Sequence, residues 1–296
     1  MSEHSHHGTG PFDHHAFDSP EIATHTELEG EVFLDLLSRA VSVLAAACAE
    51  SGVRVGRVLD LGCGPGVASC RLAEQFGEAT VVAVDGSPAM LERAKARAQR
   101  LGVASRVETR LAEFPADLAK LGHADVAWVS MALHHLGNEA DALRQIRGLL
   151  EPAGLLGLVE RADPLRPLVA TDFGRPGMWD RLDAAWEAWF SDMRAGLPGA
   201  TESDDYPAML RHGGFELVAD TIITDVVAAP LDAPARRVTQ RYLEGIQERL
   251  AGFADAADLG ALDLLIDDTA DESVIRRDDV GLRATRHLYV ARPSER

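Results

Sequence analysis

Residues 58–66 constrain the fold more than any other stretch of the sequence. Val58–Leu61 has the length and apolar character of a buried strand, and three of the next five residues are glycines. Because glycine has no Cβ atom, the backbone there can adopt a positive φ and a ligand can approach it closely. A glycine-rich turn before a helix also presents free N–H groups. We therefore expect a strand, a tight turn that can bind a ligand, and a helix.

A second apolar run, Val81–Val84, ends at Asp85, nineteen residues after Gly66. In α/β nucleotide-binding folds, an acidic residue that ends the second strand, about 20 residues after the glycine turn, binds the hydroxyl groups of a ribose. Asp60, the alternate glycines and Asp85 together resemble the class I S-adenosylmethionine (SAM) dependent methyltransferases. The resemblance covers residues 57–160 and implies a methyltransferase of the small-molecule type.

Two other classes of function remain open from the sequence. A nicotinamide-dependent oxidoreductase shares the strand, turn and helix, but its fingerprint places the third glycine one residue later than Gly66. The chain also has only two lysines and no Tyr-x-x-x-Lys pair. A non-catalytic SAM-binding protein would show the same turn and the same Asp85, and only a methyl-transfer assay separates it from an enzyme.

The resemblance implies SAM as cofactor and a role for each motif residue. The backbone of Gly62, Cys63 and Gly64 would lie against the methionine end of SAM. Asp60 would fix the turn or reach the amino group, and Asp85 would accept hydrogen bonds from both ribose hydroxyl groups. The remaining residues that the resemblance places around SAM are Gly66, Gly86, Met90, Ala112, Glu113, Ser130 and Met131.

The end of the third predicted strand departs from the family pattern. Methyltransferases of this class usually have an Asp-Ala pair there, whose Asp binds the adenine amino group, whereas this chain has Leu111-Ala112-Glu113. We therefore expect the Ala112 backbone to meet the adenine ring, with Met90 as an apolar wall. Glu113 or a backbone carbonyl would have to accept from the amino group.

Two histidines follow the fourth predicted strand. Leu133-His134-His135 resembles the fourth motif of small-molecule methyltransferases, whose residues line the pocket between the sulfonium and the acceptor. We expect one histidine to hold the loop and the other to face the cleft as a candidate catalytic base, because histidine titrates near neutral pH. Since a sulfonium is already an activated donor, in-line alignment and desolvation carry most of the catalysis and a base is optional.

Strand and helix patterns alternate along the central part of the sequence, which predicts a parallel sheet with helices on both faces. By resemblance, the fold is α/β and Rossmann-like: a doubly wound sheet of seven strands, mostly parallel, with an antiparallel last strand beside the fifth. The predicted organisation is a flexible His-rich arm over 1–20, an N-terminal helical lid over 21–52, the SAM-binding core over 53–160, a helical cap insertion over 161–200, and the remainder of the core over 201–296 with a helical insertion at 233–268.

The lid and the cap each have two interpretations. In similar methyltransferases a leading helix covers the SAM pocket, so His25, Glu27 and Glu31 either lie near the ligand or face water. Three of the chain's four tryptophans lie in a predicted helix over 178–193, which packs on the core, closes over an apolar substrate, or does both. The insertion at 233–268 would extend this cap or form the surface of a homodimer.

Composition argues against several partners. The formal net charge is −18 and no run of Lys/Arg offers a basic patch, so we expect no nucleic-acid substrate. The longest apolar stretch is too short to cross a bilayer and the N-terminus does not resemble a signal peptide, so we expect no membrane association. The three cysteines lack metal-ligand spacing, which predicts buried thiols, no metal in the site and a reducing cytoplasm. The His-rich arm is either a solvated tail or a metal-binding segment.

Overall fold

The computed structural model of the chain describes residues 19–113, 116–136, 138–169, 173–196 and 205–294. Its helices are α1 (Pro20–Val32), α2 (Leu34–Glu50), α3 (Val67–Gln75), α4 (Pro88–Arg100), α5 (Glu139–Leu149), α6 (Met178–Ala195), α7 (Tyr206–His212), α8 (Ala233–Leu250) and α9 (Ala256–Ile266). Its strands are β1 (Arg57–Leu61), β2 (Thr80–Asp85), β3 (Val107–Leu111), β4 (Ala124–Ser130), β5 (Leu150–Val169), β6 (Phe215–Val227) and β7 (Val280–Pro293). Short 3₁₀ turns lie at Leu118–Lys120 and Leu133–His135. The predicted His-rich arm falls outside this part of the chain, apart from its last two residues.

Within the described residues, the seven strands form one sheet in the order β3-β2-β1-β4-β5-β7-β6. Strands β1 to β5 are parallel to their neighbours in that set, whereas β7 runs antiparallel to both β5 and β6. This arrangement confirms the predicted doubly wound sheet and the antiparallel last strand beside the fifth. The order reverses between β1 and β4, and ligands of such sheets bind in the crevice at that point, beyond the carboxyl ends of the strands.

Alternate residues of the central strands pack against helices on opposite faces of the sheet. Val58 belongs to the core shared with α2 and α3, whereas Leu59 belongs to the core shared with α5 and α7. Helix α2 approaches the sheet closely, because a Cβ atom on Gly157 would lie 2.7 Å from Trp128 and 3.2 Å from Leu44. The sheet is thus covered on both faces, and its strand ends provide a fixed edge for a site.

The fifth strand is longer than predicted, which corrects the boundary of the cap. β5 continues through Pro164 and Pro167, a stretch that the sequence assigned to the helical cap insertion over 161–200. The strand accommodates the prolines because its pairing with β7 shifts register twice between Arg161 and Arg166, and a bulged ladder does not need every N–H. β7, which pairs with this extended part of β5, begins at Val280. The helical part of the cap is α6.

Two segments predicted as helical are each broken into two helices. α1 and α2 replace the continuous pattern over residues 21–51 and meet at Phe33 with a bend of 69°. Both halves contain good helix formers, so the break is set by tertiary packing around the buried Phe33 side chain. The insertion over 233–268 contains α8 and α9. Asp255 is the N-cap of α9, and its carboxylate accepts a hydrogen bond from the Ala257 N–H at 2.8 Å.

An ionic cluster fixes α1 on α4. Glu27 accepts hydrogen bonds from Arg93 at 3.0 Å, Arg97 at 3.2 Å and Arg100 at 3.1 Å. Glu31 also binds Arg97. Burial opposes ionisation of Glu27, but the arginines outweigh it and lower the pKa of its carboxyl. Glu27 and Glu31 therefore anchor the predicted lid to the core, and neither interpretation made from the sequence described this role.

No single helix in the described part of the chain is long and apolar enough to cross a membrane. Helices α1 and α2, taken together as one bent segment, have the length and apolar composition of a membrane span. The apolar face of α2, which includes Leu36, Val41 and Leu44, is buried against the sheet.

Glu27→Gln is expected to lower the free energy of unfolding by about 1–3 kcal/mol, because the buried Arg97 guanidinium loses one of its two carboxylate partners. Glu74→Gln is the matched control, since Glu74 pairs with Arg71 at the surface of α3, where such pairs contribute about 0–1 kcal/mol. Urea unfolding followed by circular dichroism measures both variants. Equal losses in the two variants would contradict the role of the cluster.

Candidate functional site

The turn after β1 is built from three glycines in the left-handed region. Gly62, Gly64 and Gly66 have φ values of +73°, +51° and +76°, which L side chains rarely adopt. The N–H groups of Gly62 and Cys63 both donate to the Val84 carbonyl at 2.9 Å. These two hydrogen bonds tie the turn to the end of the neighbouring strand β2, and the turn leads directly into α3.

Asp85 lies against this turn at the end of β2. Its Oδ2 accepts a hydrogen bond from the Gly64 N–H at 2.8 Å, and its Oδ1 accepts one from the Ser87 N–H at 2.9 Å. Ser87 caps α4 by accepting from the N–H of Met90 at 3.3 Å, and Met90 itself is 3% exposed. The structure thus brings together the glycine turn and the acidic residue that the sequence singled out.

Gly64 leaves room for a ligand, whereas Gly66 does not. A Cβ atom on Gly66 would lie 2.6 Å from Ala94 of α4, so that glycine is needed for the contact between turn and helix. On Gly64, the nearest atom to a Cβ would be the Thr26 methyl group at 3.8 Å. The open side of the turn therefore lies at Gly64, below the exposed Thr26 of α1.

Asp60 is buried beneath the turn. It is 1% exposed, and its Oδ2 accepts a hydrogen bond from the Ser69 hydroxyl at 2.5 Å. Burial raises the pKa of Asp60 to about 7; the Ser69 hydrogen bond opposes this shift and the Asp85 charge adds to it. Burial also raises the pKa of the Cys63 thiol. Asp60 thus links the end of β1 to Ser69 of α3, the helix that follows the turn.

Glu160 anchors the loop that follows β4. Its buried carboxylate accepts a hydrogen bond from the Leu133 N–H at 3.1 Å, and its Oε2 lies 2.7 Å from His134 Nδ1. The His135 ring lies tilted against that of His134, with ring centroids 4.0 Å apart, and His135 is only half-buried. Met131 in the same loop has a φ of +54°, which is unusual for a residue with a side chain. His134 and Glu160 therefore join this loop to the end of β5.

The far side of the crevice lies at the end of β3. The Ala112 N–H donates to the Asp85 carbonyl at 3.1 Å, which brings β3 against the end of β2. A Cβ atom on Gly86 would lie 3.2 Å from the Glu113 carboxylate, so Glu113 returns to the corner formed by Asp85 and Gly86. Leu111, which stands where the family has an Asp, is 59% exposed.

Two contacts at this edge of the sheet were not predicted from the sequence. Thr26 lies over the turn, and Glu160 binds Leu133 and His134 from 27 and 26 residues away. The place of Glu160 at the end of the fifth apolar run indicated that it borders the crevice, but not which residues it binds. Ser130 is half-buried at the end of β4, on the same edge.

Comparisons with known proteins identify the family. A family profile described as "Methyltransferase domain" matches residues 58–154. The chain is 32% identical over 212 residues to trans-aconitate 2-methyltransferase of Methylobacterium radiotolerans, a match that covers 67% of this chain and 74% of that protein. It is 28% identical over 247 residues to 27-O-demethylrifamycin SV methyltransferase of Amycolatopsis mediterranei, which covers 82% of this chain and 79% of that protein.

A solved structure of a candidate methyltransferase from Bacillus halodurans has the same fold, with a TM-score of 0.51 and 19% identity over 86% of this chain and 100% of that chain. Together with the sheet order and the glycine turn, these matches define the class. This chain belongs to the class I SAM-dependent methyltransferases, and its cofactor is SAM. The residues present fit that cofactor, because the turn is open at Gly64 and Asp85 is held beside it.

The pKa of Asp60 predicts a pH-dependent stability. The folded-state pKa of about 7 lies above the unfolded value of 3.8. Between these two values the folded protein binds a proton that the unfolded chain does not. The resulting stabilisation is fully present at low pH and is lost as the pH rises towards 7. Relative to Asp60→Asn, the wild type is expected to lose on the order of 3 kcal/mol of unfolding free energy between about pH 4.5 and about pH 7.5. Urea unfolding across this range measures the difference.

The exposed Asp35→Asn variant is the control, and its profile should run parallel to that of the wild type. If the Asp60→Asn profile also runs parallel to that of the wild type, the pKa of Asp60 is not raised.

Proposed function

We propose that this enzyme transfers the methyl group of SAM to a small-molecule acceptor by in-line displacement at the crevice beside Gly64 and Asp85. The observation that carries the proposal is the 2.8 Å hydrogen bond between the Gly64 N–H and Asp85 Oδ2, at the carboxyl ends of adjacent strands. Bound SAM supplies a methyl group on a positively charged sulfur, and a lone pair of the acceptor displaces the neutral thioether. The chain's own residues bind, align and exclude water.

The methionine and ribose parts of SAM would be held by the turn and by β2. Gly62, Cys63 and Gly64 present their backbone to the methionine end, and Asp60 supports them from below. Asp85 binds the ribose hydroxyl groups, since two neighbouring O–H donors suit the two oxygens of a carboxylate. The backbone donors also fix the direction of the carboxylate before the ligand arrives.

The adenine would lie between β3 and the first turn of α4. The backbone of Ala112 meets the ring, and Glu113 accepts from the amino group because its carboxylate lies beside Gly86. Met90 supports this wall from within the core rather than from its surface. The two remaining residues assigned to the cofactor, Ser130 and Met131, border the side where the methyl group is transferred.

Alignment of the acceptor would carry most of the rate enhancement. His134 positions the loop through its contact with Glu160, so it acts as a positioning residue. His135 borders the cleft and can take the proton of an acceptor hydroxyl or amine, although a sulfonium donor needs little help of this kind. Helices α1 and α6 would exclude water once the acceptor is bound.

The acceptor is proposed to be a small molecule. The relatives named above methylate, by their names, trans-aconitate and 27-O-demethylrifamycin SV. A net charge of −18 disfavours a nucleic-acid acceptor. The three cysteines are buried free thiols, which supports a cytoplasmic location. Phe253 and Leu264 are exposed apolar side chains within the insertion over 233–268. We place the contact surface of a homodimer there.

Asp85→Asn is expected to weaken SAM binding by about 10- to 100-fold, because it removes the charge from the hydrogen bonds to the ribose while keeping the shape of the side chain. Glu113→Gln is the matched control and should weaken SAM by less. Isothermal titration with SAM measures both, and circular dichroism checks that both variants are folded. A larger loss in Glu113→Gln would contradict the ribose assignment, and no binding of millimolar SAM to the wild type would remove the proposed site.

His135→Ala is expected to reduce kcat by less than about tenfold, because a required general base contributes about 10²–10⁴. Release of S-adenosylhomocysteine with a metabolite extract, and later with the acceptor isolated from it, measures the rate. A loss of about a hundredfold or more would show that His135 is a required base. Label transfer from methyl-labelled SAM in the same extract distinguishes an enzyme from a protein that only binds SAM.

A further inference from the structure

Three arginines lie beneath the cap, and in the described part of the chain only Arg286 among them has a carboxylate partner. Arg161 on β5 and Arg286 on β7 are register partners, so their side chains lie on the same face of the sheet. Arg249 and Tyr242 approach from α8. We propose that these four residues, the arginine recess, bind a carboxylate group of the methyl acceptor. The proposal rests on the proposed function and names the chemical class of its substrate.

Two of the three guanidinium groups lie near the same tryptophan ring. The Cζ atom of Arg161 lies 4.9 Å from the centre of the Trp186 ring, and that of Arg249 lies 6.0 Å from the same ring. Arg249 also lies 5.6 Å from the centre of the Trp189 ring. Stacking on an indole face holds a guanidinium in place while leaving its N–H donors available.

Two arginines of the recess have no ionic partner. Among the residues that the structure describes, neither the half-buried Arg161 nor the exposed Arg249 forms an ion pair or a hydrogen bond with another side chain or with the backbone. The buried Arg286 pairs with Glu29 at 3.2 Å and donates to the Thr285 carbonyl at 3.2 Å. Like charges placed opposite each other across a strand pair are unfavourable, and a bound anion would remove this cost.

Tyr242 adds an unused donor. Its hydroxyl is buried and has no hydrogen-bond partner in the part of the chain described. Burial raises the pKa of Tyr242 to about 12, so the phenol keeps its proton and can donate to a carboxylate. Tyr242 lies against the apolar side of the cap, beside Trp179, Leu182 and Trp186.

Helix α1 connects the recess to the methyl-donor site. Glu29, the partner of Arg286, lies three residues after Thr26, which covers the open side of the turn at Gly64. Three residues of an α-helix rise by about 4.5 Å. Glu160, which anchors the loop of His134, directly precedes Arg161 along β5. An acceptor held in the recess therefore lies beside the crevice where its nucleophile must meet the methyl group.

The surrounding charges favour a carboxylate over a phosphate. Glu29 and Asp183 border the recess, and Asp183 is already paired with Arg166. Glu244 and Glu29 both face His25, as does Arg241. These acidic groups would repel a phosphate dianion more than a singly charged carboxylate, and three guanidinium groups suit the flat, two-oxygen shape of a carboxylate.

The test uses the full-length enzyme loaded with S-adenosylhomocysteine and follows tryptophan fluorescence, because Trp186 lies in the recess. The probes are trans-aconitate and a panel of hydroxy acids, each compared with its neutral amide and, where one exists, with its phosphate analogue. We expect acids to bind more tightly than their amides, and Arg161→Gln and Arg249→Gln to weaken the acids by at least about tenfold. The control Arg292→Gln, which changes an exposed partner of Glu216, should bind them like the wild type.

The outcomes separate this inference from the proposed function. Unchanged binding of S-adenosylhomocysteine in Arg161→Gln, together with loss of acid binding, supports the recess. No preference for acid over amide anywhere in the panel, equal acid binding in wild type and Arg161→Gln, or tighter binding of the phosphate analogues would overturn it. Failure of the wild type to bind S-adenosylhomocysteine would instead remove the methyl-donor site. Arg161 and Arg249 have no ionic partner to lose. We therefore expect the Arg161→Gln and Arg249→Gln variants to melt at or above the wild-type temperature.

Discussion

The Asp85 carboxylate accepts a hydrogen bond from the N–H of Gly64, and this contact joins the two parts of the site that are separated along the chain. The contact requires a turn without side chains, because the Gly64 backbone adopts a positive φ, with the Thr26 methyl group 3.8 Å from where its Cβ atom would be. It also requires parallel strands in register, since the ends of β1 and β2 must reach the same edge of the sheet. The fold therefore sets the geometry of the site before any ligand binds.

Support for this corner comes from buried groups below and beside it. Asp60 lies under the turn, where burial brings its pKa to about 7, and Glu160 holds the loop on the opposite side of the crevice. The lid helix α1 is fixed to α4 by the arginines that surround Glu27. Each of these contacts joins elements far apart in sequence, so the edge of the sheet is built by tertiary structure.

The sequence predicted what depends on local pattern. The glycine spacing, the acidic residue after the second apolar run and the alternation of strands and helices predicted the sheet and the closeness of Gly64 to Asp85. The resemblance added the antiparallel last strand beside the fifth. Local pattern did not predict the bend at Phe33 or the continuation of β5 through Pro164, because long-range packing and pairing with β7 decide both. The convergence of Arg161, Arg249 and Arg286 was also invisible, since three separate elements contribute these side chains.

The most direct test of this account is a crystal structure of the enzyme with bound S-adenosylhomocysteine. The account predicts that both ribose hydroxyl groups lie within hydrogen-bond distance of the Asp85 carboxylate and that the amino-acid part of the ligand lies against the backbone of Gly62 and Gly64. A ligand whose ribose lies away from Asp85, or that leaves the glycine turn uncovered, would contradict it.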